Sequence, residues 1–486
     1  MRPWERVRTV TAAPFVVALA LGLWGIGRQG TMWGDEAVTY DMAHRDPARI
    51  WHTAGTIDAV HGLYYLFMHA VLGLWDGGPA ALRLPSVLAV AAAAAGVARI
   101  GHRLAGPRAG LPAGLVLPLL PVVQRYAQEG RSYALVCALA TWATWLLLTC
   151  LARPTRSRWT GYAAVTLTAC LLHEFAVLVL LAHGVTVFLS VRFSGLPRST
   201  ARAWGVAAGC VTAGVLPLAV FSTTQAAQVN WIGGPGVREV AAFAGVTALG
   251  LVLARVVARR PARADGTGGG DGDGGGYRPS LPALALPLLI LPTVLLMLMT
   301  PVRPLYVDRY VLFSSVGLAL LAGAALAGAR RAVAWGAALV ALAALVPVTL
   351  HLRTPESRQN DVVAVARAVE RDAERGDGLL FMPSRRRVWT FVRPESFRGL
   401  TDLALERSPE ASDTLYGREL PPERIRERIL SRTRIVTVHD LAGEPLDDTA
   451  QEEMKRATLR TYFEECGPGR RVTQAVITVY ARPGAC

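Results

Sequence analysis

Two adjacent carboxylates, Asp35 and Glu36, follow Trp33-Gly34 just after the first apolar run of this 486-residue chain. At a membrane surface such a pair supplies a general base and a helper. The same acids equally suit the first turn of a juxtamembrane helix, facing the positive end of its dipole. Asp58-Ala59-Val60-His61-Gly62-Leu63-Tyr64-Tyr65 stands where apolar sequence resumes. His61 is suited to bind a phosphate or a hydroxyl, whereas Tyr64 and Tyr65 fit an interfacial aromatic belt. His69 reads as a core histidine.

Further along, Arg125-Tyr126-Ala127-Gln128-Glu129-Gly130-Arg131-Ser132-Tyr133 sets two cations and a carboxylate at the edge of apolar sequence. Charge there is expensive and calls for a partner or a substrate; an internal Glu129–Arg131 ion pair satisfies the same need. His173-Glu174 marks the tip of a hairpin, either lining a cavity or simply solvated. Arg303-Pro304-Leu305-Tyr306-Val307-Asp308-Arg309-Tyr310 precedes another apolar run. Arginine offers a planar fork of donors to phosphate, and it also belongs to membrane belts. Trp231 is a lipid anchor or a sugar platform. Together, arginines near carboxylates suit a phosphate that departs as a nucleophile attacks. The cations stabilise the leaving charge and a carboxylate takes the acceptor's proton. A lipid-linked sugar phosphate fits that chemistry.

The elements that must position these groups are membrane spans. Hydrophobic residues make up 52% of the chain and charged ones only 18%, where soluble domains carry about a quarter. The apolar residues fall in repeated runs, which excludes a single soluble enzyme. Six cysteines at this length exclude a disulfide-dense scaffold. The net charge of +15 needs no nucleic acid, because arginine collects on cytoplasmic loops. Arg2, Arg6 and Arg8 place the N-terminus in the cytoplasm. The following run, to about Gly27, reads as an uncleaved anchor rather than a signal peptide cut near Ala18-Leu19-Ala20.

Residues 28–60 are then outside. Three short apolar pieces follow, 61–75, 82–98 and 111–123, of which one is re-entrant or part of a broken helix. A span over 131–152, a hairpin over 160–191, and spans at 204–222, 239–257, 280–300, 311–328 and 332–350 complete about eleven crossings. A Gly/Asp-rich cytoplasmic linker covers 261–279. The transmembrane module is thus 1–351, and 352–486 is a small α/β extracytoplasmic domain. There, 361–375 has helical periodicity and 378–382, 434–438 and 475–480 read as strands. Cys466 and Cys486 are expected outside the cytoplasm, where they can pair; Cys137, Cys150, Cys170 and Cys210 read as packing residues in spans.

The ordered series resembles the family-39-like glycosyltransferases of the GT-C class, which include protein O-mannosyltransferases and aminoarabinose transferases. The resemblance covers residues 10–330. It rests on Asp35-Glu36, Asp58…His61…Tyr64-Tyr65, Leu82-Arg83-Leu84-Pro85-Ser86, Gln128-Glu129-Gly130-Arg131-Ser132-Tyr133, His173 and Asp308-Arg309-Tyr310. It departs at His61-Gly62-Leu63, where many members have His-Pro-Pro-Leu. The resemblance implies an α-helical polytopic fold and transfer of a sugar from a polyprenyl phosphate to an acceptor hydroxyl outside the plasma membrane.

Asp35 matches the acid assigned as general base, with Glu36 beside it. Arg131, His173 and Arg309 fall at the donor phosphate, and His61, Glu129 and Arg303 join them as substrate-binding candidates. Mannose is the commonest sugar in such families, with arabinose the alternative. The acceptor is a protein, a glycan or a lipid. Many members need no tightly bound metal, and some use a divalent cation. Two rivals stand beside this reading: a transporter or flippase of lipid-linked saccharide, and a membrane-anchored envelope assembly protein.

Overall fold

The computed structural model describes residues 3–226, 232–259, 277–358 and 360–486. Trp231 and residues 261–276 of the glycine-rich linker lie outside them. The helices run α1 (Pro3–Leu23), α2 (Gly34–His44), α3 (Pro47–Thr56), α4 (Gly62–Leu74), α5 (Pro79–Ala105), α6 (Pro107–Leu119), α7 (Pro121–Ala127) and α8 (Tyr133–Ala152). Then come α9 (Arg156–Leu172), α10 (Leu178–Phe193), α11 (Arg198–Thr224), α12 (Val237–Ala258), α13 (Leu281–Leu298), α14 (Ser315–Ala327) and α15 (Arg331–His351). The remainder alternates α16 (Val362–Asp372), β1 (Gly378–Met382), β2 (Thr401–Asp402), β3 (Leu405–Arg407), β4 (Arg418–Glu419), α17 (Pro422–Leu430), β5 (Arg434–His439), α18 (Ala450–Tyr462), β6 (Glu464–Glu465), β7 (Arg470–Val472) and β8 (Ala475–Ala481). Two compact units result: Met1–Ile26 with Arg83–Leu352, and Gly27–Leu82 with Arg353–Cys486.

The first unit is a helical bundle. Among the described residues nine helices are long and apolar enough to cross a membrane. The sequence predicts about eleven crossings. The difference lies in two further bundle helices. One is α9, which has 17 residues and begins at Arg156 and Arg158. The other is the α6–α7 stretch, which breaks at Leu120 because Pro121 brings no N–H to continue the ladder. Piece 111–123 is therefore the broken helix, whereas 82–98 lies inside the 27-residue α5. Helix α6 packs against α1 and α14, and α9 against α8 and α11. Small residues let these backbones approach. A Cβ on Gly114 of α6 would meet Pro14 Cγ at 2.7 Å, and Gly323 of α14 has no room for one against Ala113. Arg83, fully buried in α5, donates to the Ile26 carbonyl at 2.7 Å and so ties down the end of the first apolar run.

The second unit is built on a sheet ordered β2-β1-β5-β8-β6, with β7 also on β8. Strand β5 pairs in parallel with β1 and antiparallel with β8. Leu380, Ile435, Ile425, Ile429, Leu459 and Phe463 form a core between this sheet and the paired helices α17 and α18. The expected helix and all three strands appear within a few residues of their sequence bounds. Residues 27–82 belong to this unit because hydrogen bonds tie them to the distant chain. Val362 N–H donates to Met32 O at 2.8 Å and Gly34 N–H to Asn360 Oδ1 at 2.7 Å. Buried Arg45 holds Asp41 at 2.7 Å and the Thr414 carbonyl at 2.9 Å. Short helix α4, piece 61–75 of the sequence reading, falls here as well.

Cys466 and Cys486 are joined, with Cα atoms 5.4 Å apart. Closing a loop of this length contributes about 3 kcal/mol by restricting the unfolded chain. Alkylating the denatured chain is expected to modify four of its six cysteines before reduction and all six afterwards. Six modified thiols in unreduced protein would rule the bond out.

Candidate functional site

In the bundle, candidate residues gather where four elements end. Loop 128–132 joins α7 to α8 and is held from both sides. Gln128 donates to the Gly22 and Trp24 carbonyls at 2.8 and 2.7 Å. Ser86 of α5 donates to the Glu129 carbonyl at 2.6 Å and reaches the Arg131 carbonyl at 3.3 Å. Glu129 and Arg131 are thereby buried in a fixed backbone. Removing this clamp with Ser86→Ala is expected to cost about 1 kcal/mol. Faster hydrogen exchange at 129–132 would report it; unchanged exchange would show that the loop does not depend on Ser86.

Tyr133 opens α8, His173 closes α9, and Tyr310 lies in the 3-10 turn Asp308–Ser314. The His173 ring is 4.6 Å from Tyr310, 5.6 Å from Tyr133 and 5.5 Å from Phe175. Arg309 lies over two of these rings, its guanidinium carbon 5.7 Å from the Tyr133 centroid and 5.6 Å from that of Tyr310. Stacking on aromatic faces orients the planar cation. Tyr126 donates to Asp308 Oδ1 at 2.7 Å, which also accepts the Arg309 N–H at 2.8 Å. A histidine, a stacked arginine and the Asp308 carboxylate thus share one aromatic-walled corner, a setting that can hold an anion and balance its charge.

Two candidates of this unit are engaged elsewhere. Arg303 donates to the Ala226 carbonyl at 2.6 Å. Glu174, beside His173, accepts from Ser222 of α11 at 2.8 Å.

In the second unit, Asp35 sits in the first turn of α2, half-buried. The backbone before it is pinned by the Met32 and Gly34 bonds, and Met32 N–H also reaches Asp361 Oδ1 at 3.4 Å. Glu36 differs from its neighbour. It is fully buried, and its Oε2 accepts the Trp33 N–H at 3.4 Å, closing the start of the helix. The carboxylate pair therefore divides into a half-exposed acid and a capping one. Asp58 and His61 lie together at the start of α4, where Asp58 Oδ1 meets His61 Nδ1 at 2.8 Å. Tyr65 donates its hydroxyl to the other oxygen of Asp58. His69 is half-buried and bonds the Ala43 carbonyl at 3.0 Å.

Sequence reasoning did not single out Phe175 or the wall made by Tyr133 and Tyr310. A tyrosine beside a charge at a span end has the same signature whether it lines a site or anchors in lipid. Among the described residues, no group of three or more His, Cys, Asp or Glu side chains is placed to hold a metal ion.

The fold is similar to that of solved proteins of the GT-C class. Its solved counterparts include ArnT from Cupriavidus metallidurans. The apo structure of that protein matches with a TM-score of 0.60 at 12% identity, covering 96% of this chain and 97% of ArnT. A second ArnT structure, bound to undecaprenyl phosphate, matches with a TM-score of 0.55 at 12% identity, covering 97% and 98%. No family model matches the chain, and no curated protein matches it in sequence.

Proposed function

We propose that the chain is a glycosyltransferase that moves a sugar from a polyprenyl phosphate to an acceptor hydroxyl at the outer face of the plasma membrane. The observation that carries this reading is the corner formed by His173, Arg309, Tyr133 and Tyr310, in a fold shared end to end with a protein crystallised on undecaprenyl phosphate. Arg131, Arg309 and His173 bind the donor phosphate and stabilise it as it leaves. His61 contributes a further donor to the lipid-linked substrate. Asp35 removes the proton of the attacking hydroxyl. Glu129 and Asp308 balance the cations, while Arg303 and Glu36 hold backbone. Mannose is the first sugar to test and arabinose the second; the acceptor is a protein, glycan or lipid of the envelope.

The arginine-rich loops favour a cytoplasmic N-terminus. The Cys466–Cys486 bond favours an oxidising compartment for the C-terminal domain. The direct test supplies radiolabelled polyprenyl-phosphate mannose, then the arabinose donor, to membranes containing the chain. Incorporation above membranes lacking it is expected. No incorporation from any polyprenyl-phosphate sugar would overturn the reading.

A further inference from the structure

We propose that the second unit carries a pocket of its own for a neutral saccharide, beyond the carboxyl end of β1 and walled by Ser384, Glu406, Arg418, Glu419, Asp447 and Gln451. The site belongs to this unit alone and does not depend on the transfer reading above.

The cavity measures about 560 Å³. Small-molecule sites run from roughly 300 to 1,000 Å³. Its place follows from the strand order. Strand β1 has a parallel neighbour on either side, and the chain goes from β1 to β2 and then back across to β5. Open α/β sheets take ligands outside the carboxyl ends of their strands, where the connections reverse in this way. Ser384 stands just beyond Met382, the last residue of β1. Glu419 ends β4. After β5, Asp447 precedes and Gln451 follows Thr449, the N-cap of α18.

The lining selects the ligand. Each carboxylate is already answered. Glu419 is held by Lys455 at 2.9 Å and Arg387 at 2.7 Å. Glu406 faces Arg418 at 3.5 Å, and Asp447 accepts the Thr449 N–H at 3.0 Å. Charge is therefore balanced, which favours neither a metal ion nor a free anion. Hydrogen-bonding capacity remains. A carboxylate offers about four lone-pair sites, more than these partners fill. The Ser384 hydroxyl and the Gln451 amide both donate and accept, and among the described residues neither has a partner in the chain. The Arg418–Glu406 pair is solvent-exposed and so only weakly closed. Acceptors interleaved with a guanidinium, a hydroxyl and an amide suit a ligand whose polar groups each donate and accept. Sugar hydroxyls have that property.

The test applies the full chain in nanodiscs to an array of neutral hexose and pentose di- to tetrasaccharides, with uronic-acid and amino-sugar members beside them. Binding to at least one neutral member is expected. Ser384→Ala and Gln451→Ala are each expected to weaken it about tenfold, the scale of one lost hydrogen bond. Gln451→Trp, which fills the cavity, is expected to abolish it. Arg309→Ala, in the corner of the bundle, is expected to leave it unchanged. Unaltered hydrogen exchange of β1 and β5 amides shows that a variant is folded; should Gln451→Trp fail that control, the two alanine variants decide.

Binding of no neutral saccharide, or of charged members only, would overturn the proposal. So would binding that survives the pocket variants or is lost in Arg309→Ala, because the sugar would then sit elsewhere. Absence of sugar transfer by the wild type would count against the proposed function alone, with this pocket still judged by the array.

Discussion

Asp35→Asn is expected to lower sugar transfer at least about 10²-fold at equal protein level, with the fold unchanged, since removing a general base typically costs that much. Asparagine keeps the size and a hydrogen-bonding oxygen but has no basic site at neutral pH. The position tolerates the change, because Asp35 is half-buried in the first turn of α2. Its loss as a charge near the helix N-terminus is worth only about 0.3–1 kcal/mol. The backbone around it is held by Asn360 and Val362.

Glu36→Gln is the informative control. Glutamine can still accept the Trp33 N–H, so transfer is expected to stay within a few-fold of wild type. Two adjacent acids then separate by two orders of magnitude in turnover. Wild-type transfer by Asp35→Asn would remove Asp35 from the chemistry. A loss in Glu36→Gln matching that of Asp35→Asn would show that the two act together.

Much of this architecture is legible in the amino-acid sequence, for a simple reason. Apolar runs of membrane length and helical or alternating patterns are local, and so are the elements they specify. Val362, Val365, Ala366 and Val369 are all buried on α16, as their spacing predicts. Basic and cysteine-bearing segments likewise carried their meaning in their residue types. What escaped was long-range. Nothing near Met32 announces a bond to Val362 or Asp361 more than 300 residues away, so the sequence boundary near residue 351 left 27–82 with the bundle. The site was legible as a set of residue types and not as an arrangement. Arg303 and Arg309 look equivalent in sequence, yet one binds a carbonyl and the other stacks on two tyrosines. The breaking of 107–127 into two helices depended on a proline whose effect is set by the ladder around it.

Lys455 is the chain's single lysine, and Lys455→Met is expected to destabilise the second unit by about 3–5 kcal/mol, the cost of orphaning a buried charge cluster. Its ammonium is fully buried and donates to Phe381 O at 3.0 Å, Glu419 at 2.9 Å and Glu452 Oε1 at 2.7 Å. Arg387 completes the cluster, bonding Glu419 at 2.7 Å and Asp402 at 2.6 Å. Three carboxylates thus face two cations. Methionine fills the volume but leaves Glu452 buried with Glu419 and no ammonium.

The pH dependence separates this account from lost packing. Burial raises the Glu452 pKa above its usual 4.5, and the neighbouring carboxylates add to the rise while Lys455 opposes it. A folded-state pKa above the unfolded one means that the native state holds the proton more tightly. Glu452's contribution is therefore full below about pH 4.5 and lost as pH rises through its raised native value. Removing Lys455 raises that value further, so the deficit of Lys455→Met is largest near neutral pH and shrinks toward pH 5. Adding Glu452→Gln to Lys455→Met is expected to recover part of the loss. Hydrogen exchange of β1 and β5 amides in the full chain reads each term. In wild type, an amine-reactive ester should label Lys455 only when the unit opens. A pH-independent deficit, or none, would show that the cluster does not stabilise this unit through its charges.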